Sequence, residues 1–245
     1  MQAVILAAGD GGRLLPHTMR TPKPLVSVGG RPIINHVLDR LYAAGVTHAT
    51  VVAGYRAEKL RSAIDQLHPC GMDVNVVENS GFMLGNARSL WAARRAVDGP
   101  FLLCMSDHLI DPEITRSLLA AANGRCMLAV DHVTPDDERA SEATRGLVRD
   151  GLVMDLGKDI DEWNALDTGA FYCTPVIFDA LTRSRRDGEL GAVFASLAHR
   201  ELLDAVDVTG YEWLDIDTPD DLASAHLMIA AGSGRKPEPR DEVVA

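Results

Sequence analysis

Three glycines fall within four positions, at Gly9, Gly11 and Gly12, directly after the uncharged apolar stretch of residues 3–8. Without a Cβ, each lets its backbone N–H come close to an anion. Arg13 closes this turn. Lys23 stands between Pro22 and Pro24, whose fixed φ restricts where its ammonium can go. A glycine turn behind a buried strand, with one arginine and one held lysine, is a site for a polyphosphate. Carboxylates come from two other places. Asp107 follows the apolar run 101–105, and Asp215 and Asp217 are two positions apart, so on a strand they share a face. One or two carboxylates with phosphate oxygens and water make a magnesium site. Each also has a plainer use: Asp107 as a loop or capping residue, and Asp217 or Thr218 as the cap of a helix beginning at Pro219. Both uses stand for Asp217. Lys158 by itself reads as a solvated surface lysine. No Ser-His-Asp or Cys-His arrangement is evident. His108 shows no ligand spacing; its place beside Asp107 offers at most a contact with a residue that holds the metal.

These groups need a scaffold that brings strand ends together. Residues 3–8, 49–53, 73–77, 101–105 and 126–130 read as buried strands. Between them lie helical patterns: one opened by Pro32 and ended by Gly45, then 57–67 with Leu60, Ile64 and Leu67 on one face, 87–97, and 112–122 with Asp111 as N-cap. Strand–helix alternation predicts a mostly parallel sheet with helices on both faces and ligands at the carboxyl ends of the strands. The glycine turn, the Glu78–Asn79 pair and Asp107 all fall at such ends. The second half reads differently. Residues 132–144 are polar loop. Stretches 146–149 and 152–156 flank Asp150-Gly151, a hairpin signal. Strands are expected at 169–173, 205–208 and 211–214, and helices after Pro175, at 190–200 and at 219–231. Residues 1–231 read as one domain, with a nucleotide-binding half at 1–131, an acceptor-binding half at 132–231 and a flexible tail at 232–245.

The 245 residues are 47% hydrophobic and 24% charged, enough for one large α/β domain. A net charge of −11 argues against a nucleic-acid polymer or an anionic membrane as partner. Cys70, Cys104, Cys126 and Cys173 form no C-x-x-C, which argues against zinc, and the last three sit in apolar runs as reduced core residues. No signal peptide and no apolar run near ~18 residues is present, so a cytoplasmic location is expected.

Two familiar phosphate motifs do not fit the first turn: no Gly-Lys-Ser/Thr follows, and Leu14 and Leu15 stand where G-x-G-x-x-G needs its last glycine. What fits is the ordered string Leu6-Ala7-Ala8-Gly9-Asp10-Gly11-Gly12-Arg13-Leu14-Leu15-Pro16-His17-Thr18, then Pro22-Lys23-Pro24-Leu25. It resembles the sugar-phosphate nucleotidyltransferase family. The resemblance implies a Rossmann-like GT-A nucleotidyltransferase fold, with a mixed, mostly parallel central sheet. The string Trp213-Leu214-Asp215-Ile216-Asp217-Thr218-Pro219 is similar to that family's C-terminal metal motif, which implies Mg²⁺ held by Asp107 and Asp215, with Asp217 near. Further matches resemble a narrower group, the CTP:inositol-1-phosphate cytidylyltransferases. They are Glu78-Asn79, Gly85-Asn86-Ala87-Arg88-Ser89-Leu90, Met105-Ser106-Asp107-His108, Leu156-Gly157-Lys158 and Asp167-Thr168-Gly169. This likeness places Leu6, Ala7, Ala8, Gly9, Gly11, Gly12, Glu78, Gly85, Asn86 and Ser89 around the nucleotide. It places Lys158, Asp167, Thr168 and Gly169 around the acceptor.

The expected reaction joins CTP to inositol-1-phosphate or a similar polyol or sugar phosphate, with release of pyrophosphate. Arg13 and Lys23 are the catalytic cations. A thymidylyl-, uridylyl- or guanylyltransferase shares the first motif, and phosphocholine or a phosphonate is an alternative acceptor. A non-catalytic nucleotide-binding regulator would need Lys23 or the metal carboxylates to be absent, and all are present. Known members of the narrower group carry a fused membrane alcohol-transferase domain that this sequence does not show, so a different acceptor and pathway are also expected readings.

Overall fold

Alternating apolar residues build two cores on opposite faces of one sheet. In a strand, neighbouring side chains point to opposite sides. Ala3, Ile5 and Ala7 therefore pack with Ala49, Val51, Leu102 and Cys104 on one face. Val4 and Leu6 pack with Val52, Phe101 and Leu103 on the other. The computed structural model describes residues 1–67, 71–134, 137–183 and 188–232. Its elements run β1 (Gln2–Ala7), β2 (Ser27–Val28), β3 (Arg31–Pro32), α1 (Ile33–Ala43), β4 (His48–Ala53), α2 (Ala57–Leu67), β5 (Asp73–Glu78) and α3 (Asn86–Ala93). They continue with β6 (Phe101–Met105), β7 (His108–Ile110), α4 (Pro112–Ala120), β8 (Cys126–His132), β9 (Arg145–Arg149) and β10 (Leu152–Gly157). The last are β11 (Ala165–Cys173), α5 (Val176–Arg183), α6 (Leu190–Ala198), β12 (Leu203–Asp207), β13 (Trp213–Asp215) and α7 (Pro219–Ala231).

The sheet order is β5-β4-β1-β6-β11-β8-β12-β10-β9, with β11 also touching β9. Helices α1, α2, α4 and α7 cover one face, and α3, α5 and α6 the other. The α/β expectation holds, and the sheet is mixed. Parallel pairing covers β5-β4-β1-β6 and β8-β12, while β11, β10 and β9 run antiparallel to their neighbours. The parallel strands β1, β4, β5 and β6 therefore deliver their carboxyl ends to one edge.

Local signals behave as expected. Asp150 and Gly151 take φ of 51° and 76°, the mirror-image turn that joins β9 to β10. Asp111 caps α4, its Oδ1 accepting from Glu113 N at 2.9 Å. Several boundaries differ by a few residues, and these bear on the site. The strand expected at 169–173 begins at Ala165, because Asp167-Thr168-Gly169 is a bulge inside it rather than a turn before it. The helix expected at 87–97 ends at Ala93. Strand β7 was not foreseen; it is three residues long, too short to show a period, and exists by pairing with β13. Pro32 caps α1 rather than lying inside it. The Leu67 side chain, Cys70 and the tail from residue 233 lie outside the described residues. Among those described, no helix is long and apolar enough to cross a membrane.

Candidate active site

The signature turn is shaped around the stem of Lys23. Gly11 has φ 67°, and a Cβ there would stand 2.9 Å from both Lys23 Cβ and Thr18 Cγ2. Thr18 Oγ1 donates to the Gly11 carbonyl at 2.8 Å, locking the loop over the lysine stem. A Cβ on Gly9 would meet nothing, so that position stays open. The Gly12 amide donates to Asp10 Oδ1 at 3.1 Å. At the end of β1, Leu6, Ala7 and Ala8 are buried. The Leu6 and Ala8 carbonyls accept from Ser106 N and Tyr55 N, which ties β1 to the ends of β6 and β4.

Lys23 is only 7% exposed and opens a short turn in which Leu25 N donates to the Pro22 carbonyl. Its Nζ lies 2.7 Å from Asp107 Oδ2 and 2.6 Å from Asp217 Oδ1. Arg13, largely exposed, reaches the other oxygen of Asp217 at 2.6 Å. Burial alone would pull the Lys23 pKa down, but Asp107, Asp217 and Asp215 outweigh it and hold it above its ordinary value. Asp217 lies below the usual carboxylate range for the converse reason, with Lys23 overcoming burial.

The carboxylates meet through the β7–β13 ribbon. Its register sets Asp215 directly opposite His108, and Ile216 N donates to the Asp107 carbonyl at 3.1 Å. His108 Nδ1 lies 3.0 Å from Asp107 Oδ1 and 3.5 Å from Asp215 Oδ1. Burial would lower the His108 pKa, yet Asp215 and Asp107 push it up to about 9. Burial would also raise Asp107, but Lys23 and His108 hold it well below the usual range. Asp215 is pushed up to about 7, by burial first, with Asp107 and Asp217 adding to it against His108. One ligand atom from each of Asp107, His108 and Asp215 lies within 4.8 Å of the others. Asp215 Oδ1 is buried without a hydrogen-bond partner. A buried carboxylate oxygen without a hydrogen bond, facing a second carboxylate, is what a divalent cation satisfies, so Asp107 and Asp215 fit one, and His108 adds a ligand nitrogen only when it gives up its proton. Asp217 stands outside this group, because both its oxygens serve Lys23 and Arg13. The helix cap considered for it belongs to Thr218, which forms a reciprocal capping box with Asp221.

A cleft of about 780 Å³ opens beside these groups, lined among others by Arg13, Asn86, His108, Lys158, Asp167 and Asp215. Lys158, at the end of β10, thus faces the same space as the carboxylates. Asp167 Oδ1 accepts from Gly169 N at 2.7 Å, and burial pushes its carboxyl up to about 6. Gly169, at φ 76°, lies so close to His108 that a Cβ would collide with the imidazole. Two expected contact residues do other work. Thr168 is fully buried and its hydroxyl donates to the Ala129 carbonyl at 2.9 Å, so it anchors β11 to β8 instead of facing an acceptor. Ser89 is 4% exposed and its Oγ accepts from Asn79 Nδ2 at 3.0 Å, so it fixes the loop after β5. Gly85 begins α3 at φ 107°. Asn86 Oδ1 accepts from Leu190 N at 2.5 Å and braces α3 against α6. Glu78 is exposed at the end of β5 and does not line this cleft.

The nucleotidyl transferase family model matches residues 2–232. The chain belongs to the nucleotidyl transferase family. A solved relative, the inositol-1-phosphate CTP transferase from T. maritima, superposes with a TM-score of 0.82 at 26% identity, covering 96% of this chain and 98% of that one. The chain is 33% identical over 231 residues to a protein of Rubrobacter xylanophilus named bifunctional IPC transferase and DIPP synthase. It covers 93% of this chain and 51% of that one, so the chain spans about half the length of this curated relative. It is also 29% identical to the UTP–glucose-1-phosphate uridylyltransferase AglF of Haloferax volcanii, covering 94% of this chain and 96% of the relative.

For this nucleotidyl transferase family member, two features escaped the sequence reading. His108 bridges Asp107 and Asp215, a role signalled only by its adjacency to Asp107 and by the Met105-Ser106-Asp107-His108 match. Gly54 directly follows β4, where a Cβ would stand 2.7 Å from the Ala8 carbonyl, so the two strand ends can approach only through glycine. Trp91 packs edge-on against Phe178 at 6.5 Å between centroids. Trp163 carries Arg145 over its ring and does not line the cleft.

Proposed function

We propose that the chain is a magnesium-dependent cytidylyltransferase that joins CTP to inositol-1-phosphate, or to a similar polyol or sugar phosphate, and releases pyrophosphate. The observation that carries this reading is the placement of Lys23: a buried ammonium held between Asp107 and Asp217, beside a cleft that also presents Lys158. The CTP-using relative from T. maritima, which covers 96% of this chain, supports the choice of nucleotide.

The acceptor phosphate is already an anion near pH 7. It needs no side chain to take a proton before attacking the α-phosphorus. As the acceptor oxygen bonds to that phosphorus, the bond to the bridging oxygen breaks, and pyrophosphate leaves with the electron pair. The protein's task is positioning and charge neutralisation. Lys23 supplies fixed positive charge where negative charge builds. Arg13, largely exposed, exchanges Asp217 for the β- and γ-phosphates. The Gly9–Gly12 turn and Asn86 border the nucleotide. Lys158 holds the acceptor phosphate, and Asp167 accepts from an acceptor hydroxyl. Asp107 and Asp215 are the carboxylates that would hold Mg²⁺, which when bound offsets the charge of the triphosphate.

The likeness to AglF, at 29% identity over 94% of this chain, favours a second reading with UTP and a sugar 1-phosphate. One matrix of the common NTPs against phosphorylated polyols, sugars and phosphonates, scored by pyrophosphate release, decides between them. Release restricted to CTP supports the first reading and release restricted to UTP the second. No release from any pair removes both.

A further inference from the structure

A second charged cluster faces the cleft and takes no part in the chemistry above. Trp213 and Arg139 both line it. Trp213 Nε1 donates to Asp131 Oδ2 at 2.9 Å, and Arg139 Nη1 donates to the same oxygen at 2.8 Å. Asp137 takes the rest of the guanidinium, accepting from Nη2 at 2.8 Å and from Nε at 3.0 Å. The Arg139 Cζ stands 5.3 Å from the centroid of the Trp213 ring. The Asp131 side chain, on β8, is 6% exposed.

An aromatic face with two carboxylates, one of them buried, is a receptor for an organic cation. Here the chain's own guanidinium fills it. We infer that Arg139 is an acceptor-specificity residue: it occupies a cation receptor built into the cleft wall, so that a hydroxyl-bearing phosphate is admitted and an alkylammonium phosphate is refused. A quaternary ammonium has no N–H to replace the charge-assisted hydrogen bond that Arg139 gives buried Asp131, so such a substrate cannot displace Arg139 cheaply. Ser141 and Thr144 also line the cleft; Ser141 Oγ donates to the Glu138 carbonyl at 2.8 Å and keeps lone pairs for a ligand hydroxyl. Exposed Glu138 and Glu142 are solvated and attract a cation only weakly. Discrimination by a group that blocks the wrong ligand is a general device. The inference rests on the acceptor end assigned under Proposed function.

The test has two arms. Choline is titrated calorimetrically into the wild-type chain, Arg139→Ala, Arg139→Lys and the double variant Arg139→Ala with Trp213→Leu. Binding at least ~10-fold tighter in Arg139→Ala than in the other three is expected. Phosphocholine and inositol-1-phosphate are then compared by pyrophosphate release. The ratio of their kcat/KM values should rise at least ~10-fold in Arg139→Ala while the KM for CTP stays within about threefold. Arg139→Lys keeps a cation in place and should keep the wild-type ratio. Equal choline affinity in wild type and Arg139→Ala overturns the inference, as does wild-type turnover of phosphocholine equal to that of inositol-1-phosphate. If Arg139→Ala does not fold, Arg139→Gln retains a donor for Asp131 without the charge and is read the same way. The choline arm needs no turnover, so its failure is separate from failure of cytidylyl transfer, which the pyrophosphate assay alone decides.

Discussion

Replacing Lys23 by Met removes the charge but keeps the stem that packs under Gly11 and Thr18. At 2.7 and 2.6 Å from two carboxylates, each contact has a gross attraction of roughly 6 kcal/mol at an effective dielectric of ~20. Desolvation cancels much of it. Removing one partner of a buried pair costs about 3–5 kcal/mol. The Asp107 side chain is 23% exposed, so water recovers part of the loss, and about 3 kcal/mol is the expected figure. For a chain of this size that lowers Tm by about 6–12 °C. Asp107, Asp215 and Asp217 then lie together without their main counter-ion. Added Mg²⁺ should therefore raise the Tm of the variant more than that of the wild type. Turnover should fall further than folding explains, with kcat/KM down at least ~100-fold, as for loss of a transition-state charge partner. Thermal unfolding followed by circular dichroism, with and without Mg²⁺, and pyrophosphate release on the same preparations provide the readings. A Tm within about 2 °C of wild type together with turnover within about threefold would refute both the electrostatic account and the role of Lys23.

Other substitutions separate the remaining roles. Asp215→Asn removes a buried carboxylate with an orphaned oxygen, so metal-free Tm should hold or rise while kcat/KM drops at least ~100-fold; a clear fall in metal-free Tm would contradict this. Gly11→Ala forces a Cβ against Lys23 at a φ of 67°, and should cost about 1–3 kcal/mol by urea unfolding together with a lower kcat, whereas Gly9→Ala should cost under ~1 kcal/mol. Lys158→Ala should raise the acceptor KM at least ~10-fold and leave the nucleotide KM within about threefold; a parallel rise in both would remove Lys158 from the acceptor end. Thr168→Val should lower stability by about 1–3 kcal/mol, as for an unmet buried carbonyl, with the acceptor KM unchanged; a KM effect without a stability effect would restore its expected contact role.

Much of this protein is written locally. The β1 run and its glycine turn, the Asp111 cap and the Asp150-Gly151 hairpin depend on backbone preferences and contacts within a few residues, so spacing alone announces them. The long motif around Arg13 and Lys23 announces the family for the same reason. Side-chain destinations were less legible. Ser89 and Thr168 carry the right chemistry at the right place in the chain, yet each hydroxyl points inward to a partner that only packing supplies. Asp217 looked like a metal ligand or a cap until Thr218 took the cap and two cations took Asp217.

The sequence by itself determined the elements, the glycine turn and the stock of cations and carboxylates, because propensity and patterning act over a few neighbouring residues. Only the tertiary structure decided which of them meet. Lys23 reaches Asp217 across 194 residues. His108 faces Asp215 because β7 and β13 pair in one register, and Arg139 lies on Trp213 because β8 carries Asp131 to both. Those meetings follow from strand order and register, which are set by how the whole chain buries its apolar faces and not by any stretch read alone.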